Sequence, residues 1–169
     1  SEGYDLCTTT HCQSYSGIQG ERNASTAAID ATFGQVAMYQ GRLIDAVFHT
    51  DSGGMTENSE DVWGTKIPYL RAASEVRRAT QPWQKEWVLS VFSAKLHAKS
   101  DVGTLKRIQL SPLQIGKATI DRSVSGRVKT VALVGDRGTL RLSGNEIRNL
   151  FGLKSTLFDL RISGNRVIV

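Results

Sequence analysis

Glycine-bearing turns interrupt this chain before any apolar run can grow long. Gly34, Gly41, Gly53-Gly54, Gly64, Gly135, Gly138, Gly152 and Gly164 separate segments that carry only a few apolar residues each. Short segments bounded by such breakers read as hairpin strands and brief helices, and no run approaches the about 20 apolar residues that would cross a bilayer. The expectation is an α+β fold, mostly antiparallel β-hairpins with a few short helices. At 169 residues and 40% apolar content the chain can build a core without a disulfide or metal staple. It opens at Ser1 with neither Met nor leader and closes in an apolar strand, so a fold cut short at both ends is expected.

The elements follow from spacing. Asn23 to Phe33, rich in alanine, predicts a helix capped by Asn23 and stopped at Gly34. Val36 to Tyr39 and Leu43 to Phe48 predict a hairpin turning at Gln40-Gly41, where glycine can supply a positive φ. The stretch 51–61 (DSGGMTENSED) is almost without apolar residues and reads as a surface loop, clamped beyond by Val62-Trp-Gly64 and Ile67-Pro-Tyr-Leu70. Trp87 to Val91 reads as a strand and Ser93 to Ala98 as a short helix with Leu96 inward and His97 structural. Strands are expected over 107–115, 118–124, 127–134 and 138–142, then a helix opened by the capping-box spacing of Ser143 and Glu146. Residues 158–162 and 167–169 should pair around Ser163-Gly-Asn165. A division into residues 1–100, carrying the loops, and 101–169, a β-rich second lobe, is expected.

Composition narrows the function classes. A net charge of +5 and a pI near 9.4 favour acidic partners, but the arginines are interleaved with acids and apolar residues. With 7% aromatics and no basic stripe, a nucleic-acid reader is not indicated. A diffuse positive field suits anionic wall polymers.

Two loops carry chemistry. Cys7-Thr-Thr-Thr-His-Cys12 sets two thiols and an imidazole within six positions, a set that suits zinc. Cys7, His11 and Cys12 would be three ligands, with His49, an upstream residue or water as the fourth. A Cys7–Cys12 disulfide is the alternative, and two unrelated cysteines the third reading. In the second loop Asp51, Glu57, Glu60 and Asp61 crowd beside two glycines. Paired carboxylates are the working groups of glycoside cleavage, which makes Glu57 a weak catalytic candidate, although acids in loops are commonly just solvated. Gly53-Gly54 either bares backbone N–H groups to a ligand or serves a tight turn, and Ser52 and Thr56 add hydroxyls suited to sugar oxygens. Tyr15 and Trp63, flanked by polar residues, suit stacking on sugar faces, whereas Trp87 begins an apolar run and reads as core. A thiol hydrolase built on Cys12, His11 and His49 lacks a nucleophile elbow.

Cys7 through Gly17 (CTTTHCQSYSG), Ala31-Thr-Phe-Gly34, Phe48 through Glu57 (FHTDSGGMTE), Val62-Trp-Gly64 and Pro68-Tyr-Leu70 together resemble the SpoIID (stage II sporulation protein D) and amidase-enhancer domain family. Ser125-Gly-Arg127 and Leu142-Ser-Gly-Asn-Glu-Ile-Arg148 resemble it too. The resemblance implies a bacterial, extracytoplasmic protein acting on peptidoglycan, with a wall hydrolase or amidase as a conceivable partner. In sporulation members the implied activity is a lytic transglycosylase, in which one glutamate acts as acid then base and leaves 1,6-anhydro ends. The family's catalytic glutamate sits on an alanine-rich helix upstream of the cysteine loop, so it is expected before Ser1. The positions that carry over are the zinc-type loop Cys7, His11 and Cys12, the neighbouring Gln13 and Tyr15, and the groove loop Ser52, Gly53, Gly54, Thr56 and Glu57. The two loops are expected to form two walls of one sugar-holding trough.

Overall fold

The computed structural model describes residues 16–75 and 82–169. Among them are four α-helices and eight strands in three antiparallel sheets, an α+β fold as expected. The chain divides into two compact units, Ser1–Val47 and Phe48–Val169.

In the first unit, α1 (Asn23–Ala31) forms where the alanines lie, and Arg22, not Asn23, occupies the capping position without a side-chain bond. The helix ends before Gly34, whose φ of 74° no helical residue shares. Strands β1 (Met38–Tyr39) and β2 (Arg42–Leu43) form the expected hairpin. Gln40 and Gly41 both have positive φ, 49° and 76°, the mirror-image turn whose twist matches two-residue hairpins. The strands are shorter than the apolar runs suggested, and residues 44–49 are irregular.

The second unit holds the core. After α2 (Ser59–Trp63) come β3 (Glu86–Val88), α3 (Leu89–Leu96), β4 (Leu105–Gln109), β5 (Thr130–Gly135), β6 (Thr139–Ser143), α4 (Gly144–Phe151), β7 (Arg161–Ser163) and β8 (Arg166–Ile168). One sheet runs β4-β5-β6 and the other β3-β8-β7, so the last strand is the middle of its sheet. Strand alternation turns Val131 and Leu133 of β5 inward, onto Phe92 and Leu96 of α3 and Ile147 and Phe151 of α4. Phe92 stacks on Phe151 with centroids 4.0 Å apart, and Trp87, partly buried, packs against the core by meeting Phe151 edge-on at 5.2 Å. The buried Ser93 hydroxyl donates to Leu89 O and accepts from Leu105 N, joining α3 to β4.

Ser143 and Glu146 form the reciprocal capping box at α4, and Gly152 ends that helix in the left-handed region. Several sequence expectations need correction: residues 89–91, read as the end of a strand, open α3, and 110–115, read as strand, lie beyond the end of β4. Residues 118–124 are not a strand: Thr119 N bonds Arg122 O in a turn, and Arg122 makes only an isolated bridge with Val128. Asp121 and Arg122 explain this, because their side chains bond backbone that a ladder would otherwise use. Within the stretch read as loop, residues 59–63 are helical and end on the left-handed Gly64.

Candidate functional site

The loop that begins at Asp51 owes its shape to local polar chemistry. Asp51 Oδ1 accepts from Gly53 N at 2.7 Å and the Ser52 hydroxyl accepts from Gly54 N at 3.1 Å, two successive side-chain turns. Gly53 and Gly54 have φ of 74° and 108°, a conformation that favours glycine. A Cβ at Gly53 would also fall 2.5 Å from Leu157 Cδ2 and push that side-chain end aside. Beyond the turn the chain pairs with 73–75: Glu75 N donates to Gly54 O, Met55 bridges Ser74, and Thr56 N donates to Ala73 O. The Thr56 hydroxyl accepts from Ala73 N at 2.8 Å, and Asn58 Oδ1 accepts from Ala72 N at 2.9 Å. At the start of α2 the buried Ser59 hydroxyl accepts from Ile67 N.

The other side of the loop is clasped by the segment around Gly126. Glu57 Oε2 accepts from both the Ser123 hydroxyl, at 2.5 Å, and the Ser125 hydroxyl, at 2.6 Å, while Oε1 accepts from Asn58 N. Ser123 and Ser125 are buried. Arg127 completes the clasp: Nη1 donates to Ser125 Oγ and Met55 O, and Nη2 to Ser52 O at 2.7 Å. Beneath it lies Arg122, with no exposed surface, whose guanidinium donates to Ser111 O, Gly126 O, Phe158 O and Asp159 Oδ1. Burial lowers the Arg122 pKa while the carboxylates of Asp159 and Asp121 oppose that shift.

On the outer side, Arg71 Nη2 lies 2.6 Å from both oxygens of Glu60. The hydrogen bond from Arg71, ahead of other causes, holds the Glu60 carboxyl below the ordinary glutamate range. A depressed carboxyl adds stability above its unfolded pKa and loses it as pH falls through the folded value. Arg71→Gln is therefore expected to raise the Glu60 titration toward the ordinary glutamate value, read as an upward-shifted midpoint in a carbon-detected NMR titration. An unchanged midpoint would rule out the Arg71 bond as the cause.

Of the positions singled out in the sequence, Cys7, His11, Cys12, Gln13 and Tyr15 lie outside the described residues. Ser52, Gly53, Gly54, Thr56 and Glu57 are brought together, and the structure gives their polar groups partners inside the protein. Asp51 faces solvent, and His49 Nε2 stands 3.8 Å from Glu75 Oε1. Trp63 is 56% exposed at the end of α2. Among the described residues no group of three or more His, Asp and Glu side chains is placed to hold a metal ion. Sequence reasoning missed Ser123, Ser125 and Arg127 as partners of the loop, and Arg122 beneath them. Ser125-Gly-Arg127 was visible as a motif, but nothing in it points to a glutamate 68 positions earlier. Chemically, the arrangement accepts hydrogen bonds at Glu57 and fixes the loop from both sides.

The SpoIID family model, described as a stage II sporulation protein, matches residues 1–39. The amidase enhancer of Bacillus subtilis (strain 168) is 36% identical over 98 residues, 58% of this chain and 13% of that protein. Stage II sporulation protein D of Bacillus subtilis (strain 168) is 28% identical over 153 residues, covering 85% of this chain and 39% of that protein. The protein of the same name from Bacillus amyloliquefaciens is 27% identical over 145 residues, with the same coverages of 85% and 39%. The chain thus spans well under half the length of these curated relatives.

Proposed function

On the premise that the chain resembles the SpoIID and amidase-enhancer family, with similarity reaching 85% of its length, we propose that it is the glycan-seating part of a cell-wall protein. The substrate is the peptidoglycan glycan strand, and the site of action is extracytoplasmic. Strand cleavage is of the lytic transglycosylase type, leaving 1,6-anhydromuramic ends, with the proton donor supplied from outside this chain. What supports the last point is the setting of Glu57. Its Oε2 already accepts from two buried hydroxyls and its Oε1 from a backbone N–H, an arrangement for holding a loop and not for delivering a proton to a leaving oxygen.

In this reading Ser52, Gly53, Gly54, Thr56 and Glu57 serve the glycan indirectly, by fixing the shape of the loop. Trp63, half-exposed on a helix tied down through Glu60 and Arg71, is the ring positioned for stacking on a sugar. Gln13 and Tyr15 are proposed to add contacts, and Cys7, His11 and Cys12 to hold a structural zinc. Metal analysis of the parent and of Cys7→Ser and Cys12→Ser separates zinc from a disulfide.

The deciding experiment incubates the full-length protein with glycan strands stripped of stem peptides and examines the products by mass spectrometry. Anhydro ends are expected. Retention on insoluble wall material without anhydro ends would favour the second reading, a non-catalytic wall-binding or amidase-enhancing module. The 36% identity to an amidase enhancer is the observation on that side. Neither retention nor anhydro ends would remove both.

A further inference from the structure

A cleft of about 500 Å³ lies on the face of the β4-β5-β6 sheet opposite the α3–α4 core. Its floor is one row across the sheet, Gln109 of β4, Ala132 of β5 and Arg141 of β6, which are paired in register. A methyl group between two long polar side chains leaves a notch. Thr130 stands on the same face one pleat away, and Ser111 follows the end of β4.

The remaining wall is the 119–121 turn. Its Ile120 is 92% exposed, yet the turn beneath it is fixed: Asp121 O accepts from Lys129 N and Thr130 N, Oδ2 from Ser111 N at 2.7 Å, and Oδ1 from the Thr119 hydroxyl at 2.6 Å. Burial works against the charge of Asp121, but these bonds outweigh it and hold the carboxyl below the ordinary aspartate range. Asp121 thus stays a carboxylate whose two oxygens are already engaged.

The contrast with the Glu57 cluster is the informative point. There the polar groups satisfy one another. Here Gln109, Ser111, Thr130 and Arg141 line one concavity, and their side chains make no hydrogen bond or ion pair among the described residues. Convergent uncommitted polar groups beside an apolar wall are what a small-molecule site requires.

We propose that this cleft binds an acidic amino sugar, a ring bearing one carboxylate and one amide, such as the muramic acid unit of the glycan strand. Arg141 is the one cation in the lining, which matches a single carboxylate, and its planar fork suits two-point contact. Gln109, Ser111 and Thr130 supply donors and acceptors for the amide and ring hydroxyls. Ile120, exposed on the turn, offers apolar surface to the sugar face and acetyl methyl. The proposal rests on the wall-glycan reading for its choice of sugar and adds a contact site away from the Ser52–Glu57 loop.

The test is a proton–nitrogen NMR titration of this chain with N-acetylmuramic acid and, separately, with N-acetylglucosamine, which lacks the lactyl carboxylate. The acidic sugar is expected to shift the signals of Gln109, Ser111, Thr130 and Arg141 with a Kd of about 1–5 mM, and the neutral sugar to bind about tenfold more weakly, a difference of about 1.4 kcal/mol. Arg141→Gln should reduce the acidic sugar to the level of the neutral one, and Arg141→Lys should retain an intermediate preference. Silence of the cleft signals, equal response to both sugars, or a preference unchanged in Arg141→Gln would each overturn the proposal. Its failure is separable from that of the wall reading. Full-length protein that yields anhydro ends with a silent cleft defeats only the cleft, and a responsive cleft without anhydro ends or wall retention defeats only the wider function.

Discussion

Replacing Arg122 with Met is expected to lower the unfolding free energy by about 3–5 kcal/mol, the scale observed when one partner of a buried charge network is removed. The guanidinium has no exposed surface and reaches Ser111 O, Gly126 O, Phe158 O and Asp159 Oδ1 at once. A thioether fills the space but leaves the carbonyls with no donor, and an unpaired buried acceptor costs about 1–3 kcal/mol. Arg122→Lys should recover only part of the loss, because one ammonium cannot span acceptors contributed by three separated segments. Asp159→Asn should cost less than about 1 kcal/mol, since the Asp159 side chain is 61% exposed and solvent screens its contribution. Urea unfolding of the four proteins checks the order. Equal losses for Arg122→Met and Asp159→Asn would mean that the ion pair, and not the fan of carbonyls, carries the stability.

Glu57→Ala is the second large effect, expected at about 2–3 kcal/mol, because the hydroxyls of Ser123 and Ser125 lose a charged acceptor while remaining buried. Glu57→Gln should cost less, since its amide oxygen still accepts. The damage should be local as well as global: amide exchange should speed up at 52–58, where Arg127 alone would still tie the loop to the segment around Gly126. This separates a clasp from a catalyst. A proton donor replaced by alanine would abolish turnover with stability unchanged, whereas a clasp loses stability first and any glycan contact in proportion.

Much of the local structure could be read in advance because it depends on neighbours in the chain. The turn at Gln40-Gly41, the capping box at Ser143 and Glu146, and the hairpin around Gly164 each depend on residues within a few positions of one another. The strand expected at 118–124 failed for a distant reason. Apolar alternation suggested a ladder, but Arg122 is drawn inward by carbonyls at 111 and 158 and Asp121 bonds the N–H of Ser111. The candidate site divides along the same line. The block Ser52 to Glu57 stands out in the sequence because two adjacent glycines and a run of hydroxyls are unusual, and the turn there does need positive φ.

The sequence by itself determined the α+β class, the placement of most turns and caps, the loop that distinguishes the chain, and its resemblance to the SpoIID and amidase-enhancer family. Only the tertiary structure decided what that loop's polar groups do. Ser123, Ser125 and Arg127 arrive from about 70 residues away to take up the Glu57 carboxylate and the backbone carbonyls of the loop, while the side chains of Gln109, Thr130 and Arg141 line a cleft with no hydrogen-bond partner among the described residues. The physical reason is that a hydroxyl or carboxylate carries the same donors and acceptors wherever it stands. Whether they face a ligand or another part of the chain is set by which distant segment the core brings alongside.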